Sequence, residues 1–286
     1  MKKFCCLLLI LILSTGCLKR DEFENITIYT SNYPIQYITE RLYGENSTIT
    51  SIYPNGVDID SYKLNDKQIK DYSSGNLFIF NGLIDQEKNY VIQMFDQNKR
   101  LKIIDSTLSM EYSNDINELW LNPTNFLMIS QNIKAGLEEY ISNHYIIEGI
   151  QKNYEDLKLE ISEIDANLKL MGESSTDKLI VTSSDLFKFL EKYGIEVVSL
   201  EENENLNEKI VNDVISYIKS GKIKYIYLKQ GEKPNNTIQK IIDETGVKTL
   251  NIYNLSTITD EQENNKQDYI YLMNENINLF KQELYD

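Results

Sequence analysis

Between residues 147 and 171 the apolar side chains fall at Ile147, Ile150, Tyr154, Leu157, Ile161, Ile164, Leu168 and Met171, in steps of 3, 4, 3, 4, 3, 4 and 3. That period belongs to an α-helix with one narrow buried stripe. At 1.5 Å per residue such a helix is on the order of 40 Å long, and Gly172 reads as its stop. A helix of this length either lies along other elements or projects as a coiled-coil arm. The first reading is preferred, because an alternation of strands and helices flanks it on both sides.

On the amino-terminal side, Ile26–Tyr29 is β-rich, and Asn32-Tyr33-Pro34 opens a helix through Ile35, Ile38 and Leu42. Strands follow at Ile49–Tyr53, Leu77–Phe80 and Leu101–Ile104, with helices through Ile69 and Tyr72 and through Val91 and Phe95. Asp58–Asn65 reads as a loop, and Asn122-Pro123 as the start of another helix. On the carboxyl-terminal side, strands are expected at Leu179–Thr182, Glu196–Leu200, Tyr225–Leu228 and Thr249–Tyr253. Helices alternate with them over Leu186–Tyr193, through Ile210, Val214 and Ile218, through Ile238 and Ile241, and from about Asp268 to Leu284. The fold class is therefore α/β: two lobes, each a mostly parallel sheet covered by helices, joined by one long linker helix. The boundaries are an amino-terminal lobe over 26–142, the linker helix over 143–172 and a second lobe over 173–286. Such folds bind ligands in the cleft at the carboxyl ends of their strands.

The chain opens with Met1-Lys2-Lys3 and an apolar run from Phe4 to Leu13, too short to span a bilayer and of signal-peptide length. Leu13-Ser14-Thr15-Gly16-Cys17 then resembles a bacterial lipobox. The reading is a signal peptide over 1–16, lipidation of Cys17, and a polar tether over 17–25. Processing would discard Cys5 and Cys6, so the folded part would carry no disulfide and no thiolate ligand. The body would sit outside the cytoplasmic membrane, held at its surface by acyl chains.

Composition removes several chemistries. With one His among 286 residues, no site can use two histidines. The net charge of −15 argues against nucleic acid as a partner. No G-x-G, G-x-x-x-x-G-K or G-x-S-x-G spacing occurs, so dinucleotide, phosphate-loop and nucleophile-elbow motifs are absent. His144 lies between two helical patterns and reads as a surface or packing residue, and Trp120, beside a helix start, as core. An enzyme is disfavoured.

The order of features resembles the zinc/manganese solute-binding lipoproteins of bacterial ABC transporters, over most of residues 26 to 286. The resemblance rests on Thr30-Ser31-Asn32-Tyr33-Pro34 at the first helix start and on Pro54-Asn55-Gly56-Val57-Asp58-Ile59-Asp60-Ser61-Tyr62, similar to a "pxGvepHdYep" segment. Asn81-Gly82-Leu83-Ile84-Asp85 is similar to "NGlglE", and Glu118-Leu119-Trp120-Leu121-Asn122-Pro123 to "HvWLdP". Ser183 to Ile195 is similar to "sHdaFgYfakrYGl", Glu244 to Lys248 to "etGvkv", and Asp268 to Asn276 to "dYlslMreN". Each match is weak alone; seven in order behind a lipobox carry the resemblance.

It implies a metal site of three histidines and an acidic residue, and here this sequence departs from the pattern. The first three positions fall on Asp60, Glu118 and Ser184, and the fourth near Tyr253, give or take a residue or two. None is His. Three outcomes stay open: an oxygen-ligated divalent metal ion (Mn, Zn or another hard cation), a different small solute, or no ligand. The resemblance also implies an ABC permease and its cytoplasmic ATPase as partners, a membrane contact through the lipid only, and a monomer. Two alternatives remain: a surface interaction module that keeps the fold without transport, and an exported enzyme using Asp60 and Glu118 as acid and base. The anchor is directly testable. The mature protein should partition into a detergent phase, and Cys17→Ala should send it to the aqueous phase; continued partitioning of the variant would refute the lipobox.

Overall fold

The structure is a computed structural model that describes residues 25–112 and 119–285. The signal segment, Cys17 and Glu118 lie outside the described residues. In the first lobe, strands β1 (Ile26–Thr30), β2 (Ser47–Ser51), β3 (Leu77–Phe80) and β4 (Lys102–Asp105) form a parallel sheet in the order β2-β1-β3-β4. Helices α1 (Tyr33–Tyr43), α2 (Asp66–Ser73), α3 (Asp85–Gln97) and α4 (Pro123–Tyr140) complete it. In the second lobe, β5 (Leu179–Thr182), β6 (Glu196–Ser199), β7 (Tyr225–Lys229) and β8 (Lys248–Ile252) repeat the order as β6-β5-β7-β8, again parallel, with helices α6 (Glu208–Lys219) and α7 (Asn236–Thr245) between the later strands. The central strands β3 and β5 are buried along their whole length, as Leu77-Phe78-Ile79-Phe80 and Leu179-Ile180-Val181-Thr182 require. Edge strand β2, Ser47-Thr48-Ile49-Thr50-Ser51, alternates instead between half-buried and exposed positions.

Helix α5 (His144–Ser174) joins the lobes and is about 46 Å long. Its side chains at Ile150, Leu157, Ile161, Ile164, Leu168 and Met171 are buried, as the 3–4 spacing demands. It packs against α1, α4 and the carboxyl-terminal helix α9 (Tyr269–Leu284), so it lies along both lobes and is not a free arm. A bidentate ion pair from Arg41 to Glu160, both bonds 2.7 Å, fastens α1 to it. His144 is the first residue of α5, exposed, with its Nε2 3.1 Å from Glu148. The caps follow the sequence: Asn32 caps α1 ahead of Pro34, and Asn122 caps α4 ahead of Pro123.

Two expectations are corrected. Leu186–Tyr193 is not an α-helix but ends in a 3-10 turn over Lys188–Tyr193, entered through Phe187 at φ 77°. Leu186, Phe187, Phe189 and Leu190 are all buried, and the left-handed backbone at Phe187 breaks any α-helical run through them. Phe187 packs edge-on against Phe280 of α9, their ring centroids 5.1 Å apart. Gly172 is not the helix stop, because α5 continues to Ser174. A Cβ at Gly172 would overlap the Tyr193 carbonyl oxygen, so the glycine admits the 3-10 turn against the helix. A short helix α8 (Asp260–Asn264), with a capping box from Thr259 and Gln262, follows β8 where the sequence showed only polar residues.

One apolar cluster runs from β1 through α5 to α9, and a second lies in the outer part of the second lobe around Leu179, Val214, Ile226 and Ile241. No helix among the described residues is long and apolar enough to cross a membrane. Gly172→Ala should cost about 1–3 kcal/mol by overpacking, read from urea unfolding. A variant as stable as the parent would show that the turn gives way without loss.

Candidate functional site between the lobes

The strand orders place a topological switch between β1 and β3 in one lobe and between β5 and β7 in the other. The carboxyl ends of both pairs face the region between the lobes, where open sheets bind their ligands. Each switch is closed by a glutamate. In the second lobe, Glu232 Oε2 accepts the Ser183 hydroxyl at 2.5 Å and the Lys229 backbone N–H at 3.0 Å, tying the chain after β5 to the end of β7. In the first lobe, Glu87 Oε2 accepts the Asn81 backbone N–H at 2.8 Å, just after β3, and the carboxyl lies beside Ser31, just after β1.

The two glutamates differ in surroundings. Glu232 is half-buried at the cleft wall, whereas Glu87 is fully enclosed. Thr30 Oγ1, Ser31 Oγ, Asn32 Nδ2 and Glu87 Oε1 are buried without a well-formed hydrogen bond among the described residues. Burial pushes the Glu87 carboxyl up to about 8, with Asp105 adding to it and the Ser31 hydroxyl and Asn81 N–H opposing. At neutral pH the proton therefore stays on Glu87, and the switch of the first lobe is closed by a neutral acid.

Between the lobes lies a cleft of about 470 Å³. Val57, Asp58 and Asp60 reach it from the loop after β2, Lys229, Gln230 and Glu232 from the end of β7, and Asn254, Ser256 and Thr257 from the loop after β8. Asp58 folds its own loop: Oδ1 accepts the Asp60 N–H at 3.2 Å and Oδ2 the Ser61 hydroxyl at 2.9 Å. A larger hollow of about 610 Å³ between α4 and α5, lined by Leu108, Leu127, Met128 and Tyr154, shares no residue with the cleft.

The loop after β8 is held by the opposite lobe. Tyr33 N–H donates to the Ser256 carbonyl at 3.1 Å, Gly56 N–H to Ile258 at 2.8 Å, and the Thr257 hydroxyl to Val57 at 3.1 Å. The Trp120 indole N–H donates to the Asn254 carbonyl at 2.8 Å, and the Tyr269 hydroxyl to the Trp120 carbonyl at 2.6 Å. Trp120 is thus core, as its place in the sequence suggests, and it is also part of the seam. Leu255, buried at φ 58°, is kept in a conformation unusual for a branched side chain by these flanking bonds.

Of the four positions read from the sequence, the structure brings Asp60 to the cleft. Ser184 is buried behind the cleft wall, its backbone carbonyl accepting the Thr182 hydroxyl at 2.6 Å. Tyr253 turns toward α9: burial and then Glu275 and Tyr271 raise its phenol, and Asn276 pairs with both its backbone groups at 2.8 Å. Asn254 and Ser256, next along the chain, line the cleft in its place. Lys229 sits at the expected strand end, while Glu87 and Glu232 carry no sequence signal beyond their place shortly after a strand. Among the described residues, no three His, Cys, Asp or Glu side chains converge as a metal ion requires.

The Glu87 geometry predicts a pH dependence. The folded chain holds this proton more tightly than the unfolded chain, so folding takes up a proton between about pH 4.5 and 8. Stability should fall as pH rises through that window, by roughly 1.4 kcal/mol per pH unit at most. Glu87→Gln should flatten the slope in urea titrations from pH 5 to 8; parallel profiles would show that Glu87 is ionised in the folded chain.

The family model for the zinc-uptake complex component A, periplasmic, matches residues 28–283. The zinc-binding lipoprotein AdcA of Streptococcus pneumoniae strain R6 is 22% identical, over 90% of this chain and 55% of AdcA. The chain thus spans about half the length of that relative. The iron-binding protein YfeA of Yersinia pestis is 24% identical, over 84% of this chain and 80% of YfeA. The crystal structure of the Zn(II)-bound ZnuA-like domain of Streptococcus pneumoniae AdcA superposes with a TM-score of 0.75 at 20% identity, covering 92% of this chain and all of that one. At such identity the likeness establishes the shared two-lobe fold. With the match to its model spanning nearly the whole described chain, this protein belongs to the family of the periplasmic component A of zinc-uptake complexes.

Proposed function

We propose that the chain is the extracytoplasmic, lipid-anchored solute-binding component of an ABC importer. It takes a cation or small solute into the inter-lobe cleft and passes it to a membrane permease driven by a cytoplasmic ATPase. The observation that carries this reading is the cleft itself: two parallel sheets of the same strand order turn their carboxyl ends toward one polar space. Family membership supports a binding role over a catalytic one, and the relatives AdcA and YfeA are named for zinc and iron. Within the cleft, Asp60 is the acidic side chain at an expected ligand position.

Binding is carried by a preformed frame. The main-chain bonds across the seam and the continuous α5 oppose wide opening, since bending a helix breaks its hydrogen-bond ladder. Selection then rests on side chains placed on fixed loops. A true solute present at about 100 times its dissociation constant should add about 2.7 kcal/mol of stability. Melting curves against divalent and trivalent cations and a set of small polar metabolites should find it, and native mass spectrometry of protein from its own host should show it retained. If nothing shifts the curve and nothing co-purifies, the solute-binding reading fails.

A further inference from the structure

In an Asn-Gly pair the backbone nitrogen of the glycine can attack the asparagine side chain before it, because glycine sets no side chain in the way. The chain has two such pairs, Asn55-Gly56 and Asn81-Gly82. Asn81 is buried, whereas Asn55 is exposed in the loop after β2, next to Gly56, which lines the cleft. Pro54-Asn55-Gly56-Val57 is a tight turn, with Gly56 at φ 73° and the Val57 N–H donating to the Pro54 carbonyl at 3.4 Å. The opposite lobe grips both reacting groups. Asn55 Nδ2 donates to Asp260 Oδ1 at 3.0 Å and to Glu263 Oε2 at 2.8 Å, both on α8, and the Gly56 N–H donates to the Ile258 carbonyl at 2.8 Å. The Asn55 amide thus bridges two carboxylates across the seam, and the nitrogen that could attack it is engaged with Ile258.

We propose that Asn55 is a modification site: its spontaneous deamidation, in chains whose seam has opened, severs the amide bridge between the lobes. When Gly56 leaves Ile258, its nitrogen attacks Asn55 Cγ. The Cγ–Nδ2 bond breaks, and ammonia leaves with the proton that the Gly56 nitrogen gives up. Water then opens the five-membered imide at either carbonyl, leaving aspartate or isoaspartate. One water enters, one ammonia leaves, and nothing is oxidised or reduced. Aspartate sets a third carboxylate where the amide donated to Asp260 and Glu263, so two hydrogen bonds become like-charge contacts. Isoaspartate also adds a carbon to the main chain, and the turn no longer aims Gly56 at Ile258. The change is one-way, so an opening of the seam is written into the covalent structure beside the Asp58–Asp60 loop.

The full mature chain is aged in mildly alkaline buffer at physiological temperature, folded and in urea, and its peptides are mapped by mass spectrometry. Aspartate and isoaspartate should appear at position 55 in both, at least tenfold faster in urea, where the seam is gone. Asp260→Ala combined with Glu263→Ala should speed the folded reaction. Asn55→Asp should melt lower than Asn55→Ser, which loses the bridge without adding charge, and salt should narrow the gap. In Asn55→Asp the Tyr33 N–H, which donates to Ser256 across the same seam, should exchange its hydrogen faster than in the parent. Aged parent protein separated by ion exchange gives the same readouts if a variant folds poorly. Absence of product at position 55 removes the site. Equal rates folded and in urea, or an unchanged folded rate in the double variant, overturn the role of the seam. Asn55→Asp that melts no lower than Asn55→Ser and exchanges like the parent overturns the release.

Discussion

Both lobes rest on one face of α5. Its stripe from Ile150 to Met171 is closed to water and forms the middle of an apolar cluster that starts in β1 and ends in α9. Burying such side chains is worth roughly 1.5–3 kcal/mol each, far more than the surface ion pairs along the same helix. Arg41 and Glu160 add a bidentate clamp, but half-exposed pairs of this kind contribute modestly. The relative placement of the lobes is therefore a packing result. The cleft inherits its shape from that packing, because the loops around it leave strands whose positions the helix has already set.

Within this frame the lobes repeat one device with two outcomes. Glu87 and Glu232 each accept a backbone N–H at the end of the third strand of their sheet and lie against the serine after the first. The first lobe encloses its carboxyl and keeps it neutral; the second leaves it at the cleft wall, bonded to the Ser183 hydroxyl. Sheet order alone does not separate these outcomes. The difference lies in exposure: Glu87 is fully enclosed beside Ser31 and Asn81, whereas Glu232 lines the open cleft.

The lobes, the parallel sheets, the long helix and its caps were legible in the sequence because each rests on local periodicity or a local cap. Ile150 to Met171 can be buried along one face in only one way. The 3-10 turn was not legible, because the spacing of Leu186, Leu190 and Tyr193 imitates a helix while Phe187 and Phe189 are claimed by α9 and the core. Among the site positions, Asp60 follows from a segment whose turn residues fix its loop. Tyr253 does not, since a shift of one residue at the end of a strand exchanges the cleft for the α9 side.

The seam between the lobes has an optical consequence. Trp120 is the only tryptophan in the chain, it is almost fully enclosed, and its indole N–H ends on the Asn254 carbonyl of the other lobe. Excited selectively over the tyrosines, that one indole samples the polarity and hydrogen bonding of the seam and little else. The protein carries a built-in fluorophore at the joint where its halves meet, so a rearrangement of the loop after β8 would change the colour or yield of its own emission without any label being attached.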